Sequence, residues 1–332
     1  MSETLTVVIT GASAGLGRAI ANEFARTGAR VGLIARDRAA LDAAANQINE
    51  SGATAAAYGA DVSDDQAVEA AANYFEEHLG PIDVWVNNAM VSVFSPIKEM
   101  QAAEYRRVTE VNYLGYVHGT LASLRRMLPR NRGRIIQVGS ALAYRSIPLQ
   151  SAYCATKHAI VGFTDSLRCE LIHDKSEVKV SVVHMPAMNT PQFTWVKSRM
   201  PRLPRPVPPI YEPEVGARVV VHAATTASPR REYWVGGSTV KAIVAQKLFP
   251  GRLDAYLGKT GYDSQQLDQH DSPDRPDNVF QPVPTQFGAR GPFESKSRPF
   301  SLEAEVSKHR GWFMFGCGLI GAAVVAKRLM AH

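Results

Sequence analysis

The sequence predicts an α/β protein built on a doubly wound parallel sheet with an extension after it. Two observations carry that expectation. Short, nearly all-apolar runs rich in β-branched residues alternate with helical patterns over residues 5–238, and strands apolar on both faces belong to sheets covered by helices on both sides. A glycine-rich stretch, Thr10-Gly11-Ala12-Ser13-Ala14-Gly15-Leu16-Gly17, stands between the first such run and the first helical pattern. Open α/β sheets turn tightly there, beside a ligand crevice.

The elements follow in order. Residues 5–10 read as a strand and 18–27 as a helix; 31–35 form a second strand, after which Asp37 caps a helix running to Glu50. A strand at 54–58, a helix at 63–79, a strand at 82–86 ending on Asn87 and Asn88, and one long helix over 103–128 continue the alternation. The strand 134–138, the helix 151–173 and the strand 178–183 follow. Residues 191–213 contain PRLPRPVPP, whose prolines lack the amide that a helix or a central strand needs, so a loop is expected. A helix at 213–225 and a last strand at 232–235 end the repeating domain near Ser238.

The expected division is a catalytic domain over 1–238, a partly irregular extension over 239–310, and an apolar segment over 311–328. Residues 239–257 suit one or two short helices; 263–299, rich in Pro, Asp, Gln and Gly, read as a tail docked in part through Val279, Phe280 and Phe287. Residues 311–326, GWFMFGCGLIGAAVVA, carry no charge and lie between Lys308 and Arg310 on one side and Lys327 and Arg328 on the other. As a helix they span about 24 Å, short of a bilayer's roughly 30 Å of hydrocarbon. Flanking cations, Trp312 and the small residues Gly316, Gly318 and Gly321 favour a membrane anchor; a buried helix packed on protein is the alternative.

Composition sets further bounds. The chain has 332 residues, 45% of them hydrophobic and 20% charged, which excludes disorder throughout. A net charge of +6 favours an anionic partner such as a phosphorylated cofactor or a membrane surface; the basic residues are scattered without a nucleic-acid-binding signature, so no nucleic-acid partner is expected. Three cysteines without CxxC spacing imply a reducing compartment, and the amino terminus lacks a signal-peptide pattern, so a cytoplasmic location is expected. Nine histidines without HxxxH spacing give no expected metal site.

The glycine turn is suited to a dinucleotide. Gly11 permits the tight turn, Gly15 lets the backbone approach a pyrophosphate, Gly17 allows close packing of helix on strand, and Ser13 adds a hydroxyl donor; Leu16, between the last two glycines, is a further expected cofactor-binding residue. The second strand ends at Arg36, which can pair with a 2′-phosphate and so favours NADP(H). Asp37 keeps NAD(H) open, because it could face a ribose instead of capping the next helix.

Tyr153 and Lys157 form YCATK, and a spacing of four puts both on one helix face. A phenol with a pKa of about 10 is a poor proton donor to a nascent alkoxide unless a cation lowers it, and Lys157 supplies one. Ser140 follows the strand 134–138, and Asn112 lies in the preceding long helix.

With TGASAGLG, Asp61-Val62, NNA at residues 87–89, Asn112, Ser140 and YCATK in this order, the chain resembles the short-chain dehydrogenase/reductase family over residues 5–238. The resemblance implies a Rossmann-like sheet of about seven strands. It implies that Ser140 bonds the substrate oxygen, that Tyr153 is the general acid or base tuned by Lys157, and that Asn112 holds a water for proton relay. It further implies that Asp61 and Val62 flank the adenine, that Asn88 lies along the cofactor, that Pro186 to Thr190 meet the nicotinamide amide, and that the helix containing Tyr153 and the one preceding it pair in a homo-oligomer. Two departures add bulk near the cofactor: Met90 and Ala187 stand where the family usually has glycine.

The expected activity is NADP(H)-dependent interconversion of a carbonyl and an alcohol on a hydrophobic substrate, such as a lipid, steroid or retinoid-like carbonyl compound, with Tyr153 as general acid or base. A catalytically silent dinucleotide-binding regulator, or an epimerase or dehydratase using bound cofactor, are the competing readings.

Overall fold

The computed structural model describes residues 4–272, 274–284 and 287–308. Seven strands, β1 (Thr6–Thr10), β2 (Arg30–Ala35), β3 (Thr54–Gly59), β4 (Val84–Asn87), β5 (Arg134–Ser140), β6 (Lys179–Met185) and β7 (Glu232–Trp234), form one sheet. Its order is β3-β2-β1-β4-β5-β6-β7, with every neighbouring pair parallel. The winding reverses between β1 and β4, so their carboxyl ends border the crevice where such sheets bind ligands.

Helices cover both faces because the strands are apolar on both. In β1 alternate side chains go to opposite layers: Val7 and Ile9 join the core under α1 (Gly15–Arg26), α2 (Arg38–Glu50) and a later helix at Pro213–Thr225, whereas Val8 joins the core under α3 (Asp65–Leu79). α2 starts where Asp37 Oδ1 accepts from Ala40 N at 3.0 Å, so this carboxylate serves as the helix cap.

The stretch expected as one helix over 103–128 is divided. It comprises α4 (Ala102–Thr109), a π-helical turn at Glu110–Leu114 and α5 (Gly115–Met127). The wider turn carries Asn112, and such turns concentrate at functional positions. α6 (Ser151–His173) and α7 (Pro213–Thr225) match the expected helices. The 191–213 region is not wholly loop: it holds a helical turn at Gln192–Trp195 and brief strands at Lys197–Ser198, Arg202–Pro204 and Ile210–Tyr211. Strands form here, despite the prolines, because each is an isolated two-stranded ladder outside the main sheet.

The extension begins with α8 (Gly237–Leu248) and α9 (Pro250–Thr260), then returns across the domain. Gln266–His270 pairs antiparallel with Arg202–Pro204, and Ser297–Arg298 pairs parallel with Ile210–Tyr211. Of the three apolar residues expected to dock, Val279 is fully buried, Phe287 meets Trp195 with ring centroids 4.5 Å apart, and Phe280 stays exposed. Among the described residues no helix is long and apolar enough to cross a membrane; the 311–328 segment expected as an anchor lies outside them.

Candidate active site

The glycine turn has the geometry a dinucleotide needs. Gly11 has φ +68°, and a Cβ at Gly17 would lie 2.0 Å from the Gly11 carbonyl oxygen, so helix α1 approaches β1 as no side chain would allow. Asn88 holds the turn: its Nδ2 donates to the carbonyls of Thr10 at 3.0 Å and Gly11 at 3.2 Å. A cavity of about 440 Å³ starts at Gly11, Ser13, Gly15, Leu16 and Gly17 and passes Asn88. It reaches Arg36, Asp61 and Val62 at one end and Ser140, Tyr153 and Lys157 at the other. A continuous cleft with a helix amino terminus at its middle fits a dinucleotide.

At the end of β2, Arg36 does not project freely. Its guanidinium donates to the carbonyls of Asn278 at 2.6 Å, Phe280 at 3.1 Å and Val279 at 3.4 Å. Asp61 accepts from Ser63 N at 3.0 Å and Ser63 Oγ at 2.7 Å, and from Arg107 in a close ion pair. Burial works to raise the Asp61 pKa, but the bonds from Arg107 and Ser63 prevail and hold it below the usual carboxylate range. Arg38, on the first turn of α2, faces a groove that also touches Arg36, Tyr58 and Asp61. Arg38 and Arg107 escaped the sequence reading because neither lies in a motif.

At the other end β5 runs on to Ser140, so its hydroxyl sits at the strand's last residue. The Tyr153 phenol shares a hydrogen bond with it, and Lys157 Nζ stands 5.6 Å from the Tyr153 ring centroid. Burial pushes the Tyr153 phenol up to about 12, against the opposing bond to Ser140, and pulls Lys157 down to about 7. Lys157 Nζ donates to the Val138 carbonyl at 2.7 Å and to Tyr116 Oη at 3.0 Å. Tyr116 was missed from the sequence, although it lies one helical step beyond Asn112.

Asn112 is brought near this group but faces another way. Its Oδ1 accepts from Val91 N at 2.8 Å and its Nδ2 donates to Val91 O at 2.9 Å. A weaker contact reaches Thr156 Oγ1 at 3.4 Å. The side chain therefore ties the π-turn to the chain following β4.

Behind Ser140 lies a second polar group. His184 is fully buried, with Nδ1 3.1 Å from the Ser140 carbonyl and Nε2 3.5 Å from Glu232 Oε2. That carboxylate oxygen also accepts from Tyr144 Oη at 2.7 Å and Trp234 Nε1 at 3.2 Å. Burial tends to raise the Glu232 pKa, yet the bonds from His184, Tyr144 and Trp234 outweigh it and hold the group at about 2. A depressed carboxylate contributes stability that is complete above its unfolded pKa and is lost as pH falls towards the folded value. Wild-type protein is expected to lose on the order of 3 kcal/mol from this group between about pH 5 and pH 2. Glu232→Gln should lose much less over that window and unfold at lower temperature at pH 7. Parallel melting temperatures for the two proteins in scanning calorimetry across this window would refute the assignment.

The remaining expected residues line the same cavity. Pro186 and Thr190 border it beyond the end of β6, as do the departures Met90 and Ala187. The cavity lining also includes the apolar side chains of Phe94, Leu142, Ile147, Phe193, Trp195 and Val196, with Gln150, Gln192, Arg205 and Gln265 among its polar members. Among the described residues no cluster of His, Cys, Asp or Glu could hold a metal ion.

Comparison with known proteins agrees with this arrangement. The profile of the short chain dehydrogenase family matches residues 5–200. An uncharacterized oxidoreductase, YxnA, of Bacillus subtilis (strain 168) is 30% identical over 269 residues, covering 80% of this chain and 75% of that protein. The 3-dehydrosphinganine reductase of Danio rerio is 29% identical over 245 residues, covering 71% of this chain and 73% of that protein. Among solved structures, a metagenomic short-chain oxidoreductase in complex with NADP superposes with a TM-score of 0.59 at 32% identity, covering 70% of this chain and 96% of its own. The seven-stranded parallel sheet, the glycine turn and these matches together establish that the chain belongs to the short-chain dehydrogenase/reductase family of NAD(P)-dependent oxidoreductases.

Proposed function

We propose that this oxidoreductase reduces a carbonyl group on an apolar compound, with NADPH as its preferred cofactor. The observation that carries the reading is that one cavity is lined by Ser140, Tyr153 and Lys157 together with the aromatic and aliphatic side chains of Phe94, Leu142, Ile147, Phe193, Trp195 and Val196. Two relatives, from Danio rerio and Bos taurus, are named as reductases of 3-dehydrosphinganine and 3-ketodihydrosphingosine, which accords with such a substrate.

Bound NADPH supplies a hydride to the carbonyl carbon. In this reading the Ser140 hydroxyl donates to the carbonyl oxygen and directs it towards Tyr153 Oη. Tyr153 keeps its proton at neutral pH, because burial pushes the phenol up to about 12 and not down as the spacing to Lys157 led us to expect; in this reading it donates that proton to the nascent alkoxide, and the lowering that an effective acid needs falls to Lys157 in its charged form. Lys157, with Tyr116 and the Val138 carbonyl fixing its Nζ, stabilises the phenolate left behind when it carries its charge. Asn112 fixes the chain that follows β4 by gripping Val91.

The cofactor preference rests on Arg38, which bonds Asp42 through Nε, flanks one groove with Arg36 and Asp61 and can pair with a 2′-phosphate through the rest of its guanidinium; Arg36, expected from the sequence to take that phosphate, is instead bonded to three backbone carbonyls. Asp37, the residue that would favour NAD, caps α2 through Oδ1 and also lines the cleft. Exposed Leu114, Leu121 and Leu128 recur every seven residues along the π-turn and α5, which supports pairing of this face in a homo-oligomer.

The test is a steady-state comparison of NADPH with NADH across long-chain ketones, cyclic apolar ketones and sugars. NADPH should give a kcat/KM at least about tenfold above NADH, from the charged contacts at a 2′-phosphate, with turnover confined to apolar carbonyls. Equal use of NADH would overturn the cofactor preference. Turnover of sugars alone would overturn the substrate class.

A further inference from the structure

We infer that the extension completes the cofactor site: residues 278–284 and 287–288 form a strap along the outer side of the dinucleotide crevice, and the cofactor leaves only when the strap does. The inference rests on the dinucleotide occupying the cleft between Arg36 and Tyr153, whichever of NADPH or NADH it is.

Each end of the strap is fastened to a group that the cofactor also needs. At the adenine end, the carbonyls of Asn278, Val279 and Phe280 receive all three bonds from Arg36. The Val279 carbonyl also accepts from Arg107 Nε at 3.0 Å, and that guanidinium in turn holds Asp61 and Ser63. Val279 itself is 0% exposed, so this end is sealed by an apolar side chain as well as by polar bonds. At the pyrophosphate end, the Gly288 carbonyl accepts from Gly15 N at 3.0 Å, on the first residue of α1. Between these points Pro282, Val283 and Phe287 line the same cavity as the glycine turn.

The strap is also joined to another part of the cavity wall, the helical turn at Gln192–Trp195. Asn278 N donates to the Trp195 carbonyl at 3.1 Å, and Phe287 packs edge-on against the Trp195 ring at 4.5 Å between centroids. Trp195 lines the same cavity. A dinucleotide in the cleft thus lies beneath backbone at its adenine end and its middle. Because the cavity runs unbroken under the strap from Arg36 to Tyr153, the strap forms a wall of the site and does not fill it.

The full chain and a Val279→Ser/Phe287→Ala variant, each loaded with NADPH, would be mixed with excess NADP⁺ and the loss of bound-NADPH fluorescence followed by stopped flow. The variant should release NADPH at least about tenfold faster, an effect on dissociation more than on association. Release within about twofold of wild type would overturn the strap, as would tighter NADPH binding by the variant, which is the mark of a segment that competes for the cleft. A second measurement does not depend on the variant folding. Chymotrypsin cleavage after Phe280 and Phe287 in the wild-type chain should slow several-fold when NADPH is added, because a strap closed over its ligand opens less often; unchanged or faster cleavage would overturn the proposal. Binding of neither NADPH nor NADH by the wild-type chain would remove the cofactor reading and the strap with it, whereas binding with unaltered release and cleavage removes the strap alone.

Discussion

Tyr153→Phe is expected to lower kcat by roughly 10³-fold while leaving the NADPH dissociation constant nearly unchanged. The substitution keeps the ring, and with it the contact to Lys157 Nζ 5.6 Å from the ring centroid. It removes one oxygen, the atom that shares a hydrogen bond with Ser140. Ser140 still offers a donor to a carbonyl oxygen, but a serine hydroxyl that also accepts from Leu142 N at 3.1 Å is no substitute for a phenol as a proton source. An interaction made only as charge develops on oxygen affects kcat and kcat/KM alike. Steady-state kinetics with NADPH fluorescence titration would separate the two constants. A kcat within about tenfold of wild type would show that another group delivers the proton, and a large loss of NADPH affinity would show that Tyr153 acts mainly in binding.

The parts of this molecule that were legible in the sequence are those with local signatures. Val7, Val8 and Ile9 in β1, followed at once by the glycine turn, define a buried strand and a phosphate-binding turn without any knowledge of distant residues. Helix α6 places Tyr153 and Lys157 on one face by spacing alone. The π-turn at Glu110–Leu114 was not legible, because one extra residue per turn leaves the apolar pattern of the flanking helices intact. That turn decides where Asn112 points and sets Tyr116 beside Lys157, residues 41 apart in the chain. The partners of Arg36 lie 242 to 244 residues away and are backbone carbonyls, which any residue type supplies. Arg36 could therefore be read as a phosphate ligand, but not as the anchor of a strap. The Glu232–His184 pair was hidden for a related reason: it joins two strands, β6 and β7, whose adjacency is a property of the sheet order.

Lys157→Met is expected to separate function from stability. Turnover should fall roughly 10²- to 10³-fold, since the cation beside the phenol is lost, while the folded protein at pH 6 becomes more stable. Burial holds the Lys157 ammonium at about 7, far below the ordinary lysine value of 10.5. Below pH 7 the folded protein carries that cation in a site 2% exposed, and the unfavourable desolvation is present in full. Between pH 7 and pH 10.5 the unfolded chain binds more protons than the folded one, so this group makes wild-type stability rise with pH. The gap between Lys157→Met and wild type should therefore be widest near pH 6, on the order of 5 kcal/mol at most, and shrink as pH approaches 10. Methionine fills the space of the lysine stem, and the Val138 carbonyl retains the bond from Tyr116 Oη at 3.0 Å, so the substitution leaves that acceptor paired. Calorimetric melting at pH 6 and pH 9, beside turnover measurements, would test both halves. A variant less stable than wild type at pH 6 would mean that the bonds from Nζ to Tyr116 and Val138 more than offset the burial of the charge. If it is instead more stable and nearly inactive, then Lys157 is a buried charge held against the stability of the fold, as expected of a residue retained for proton chemistry.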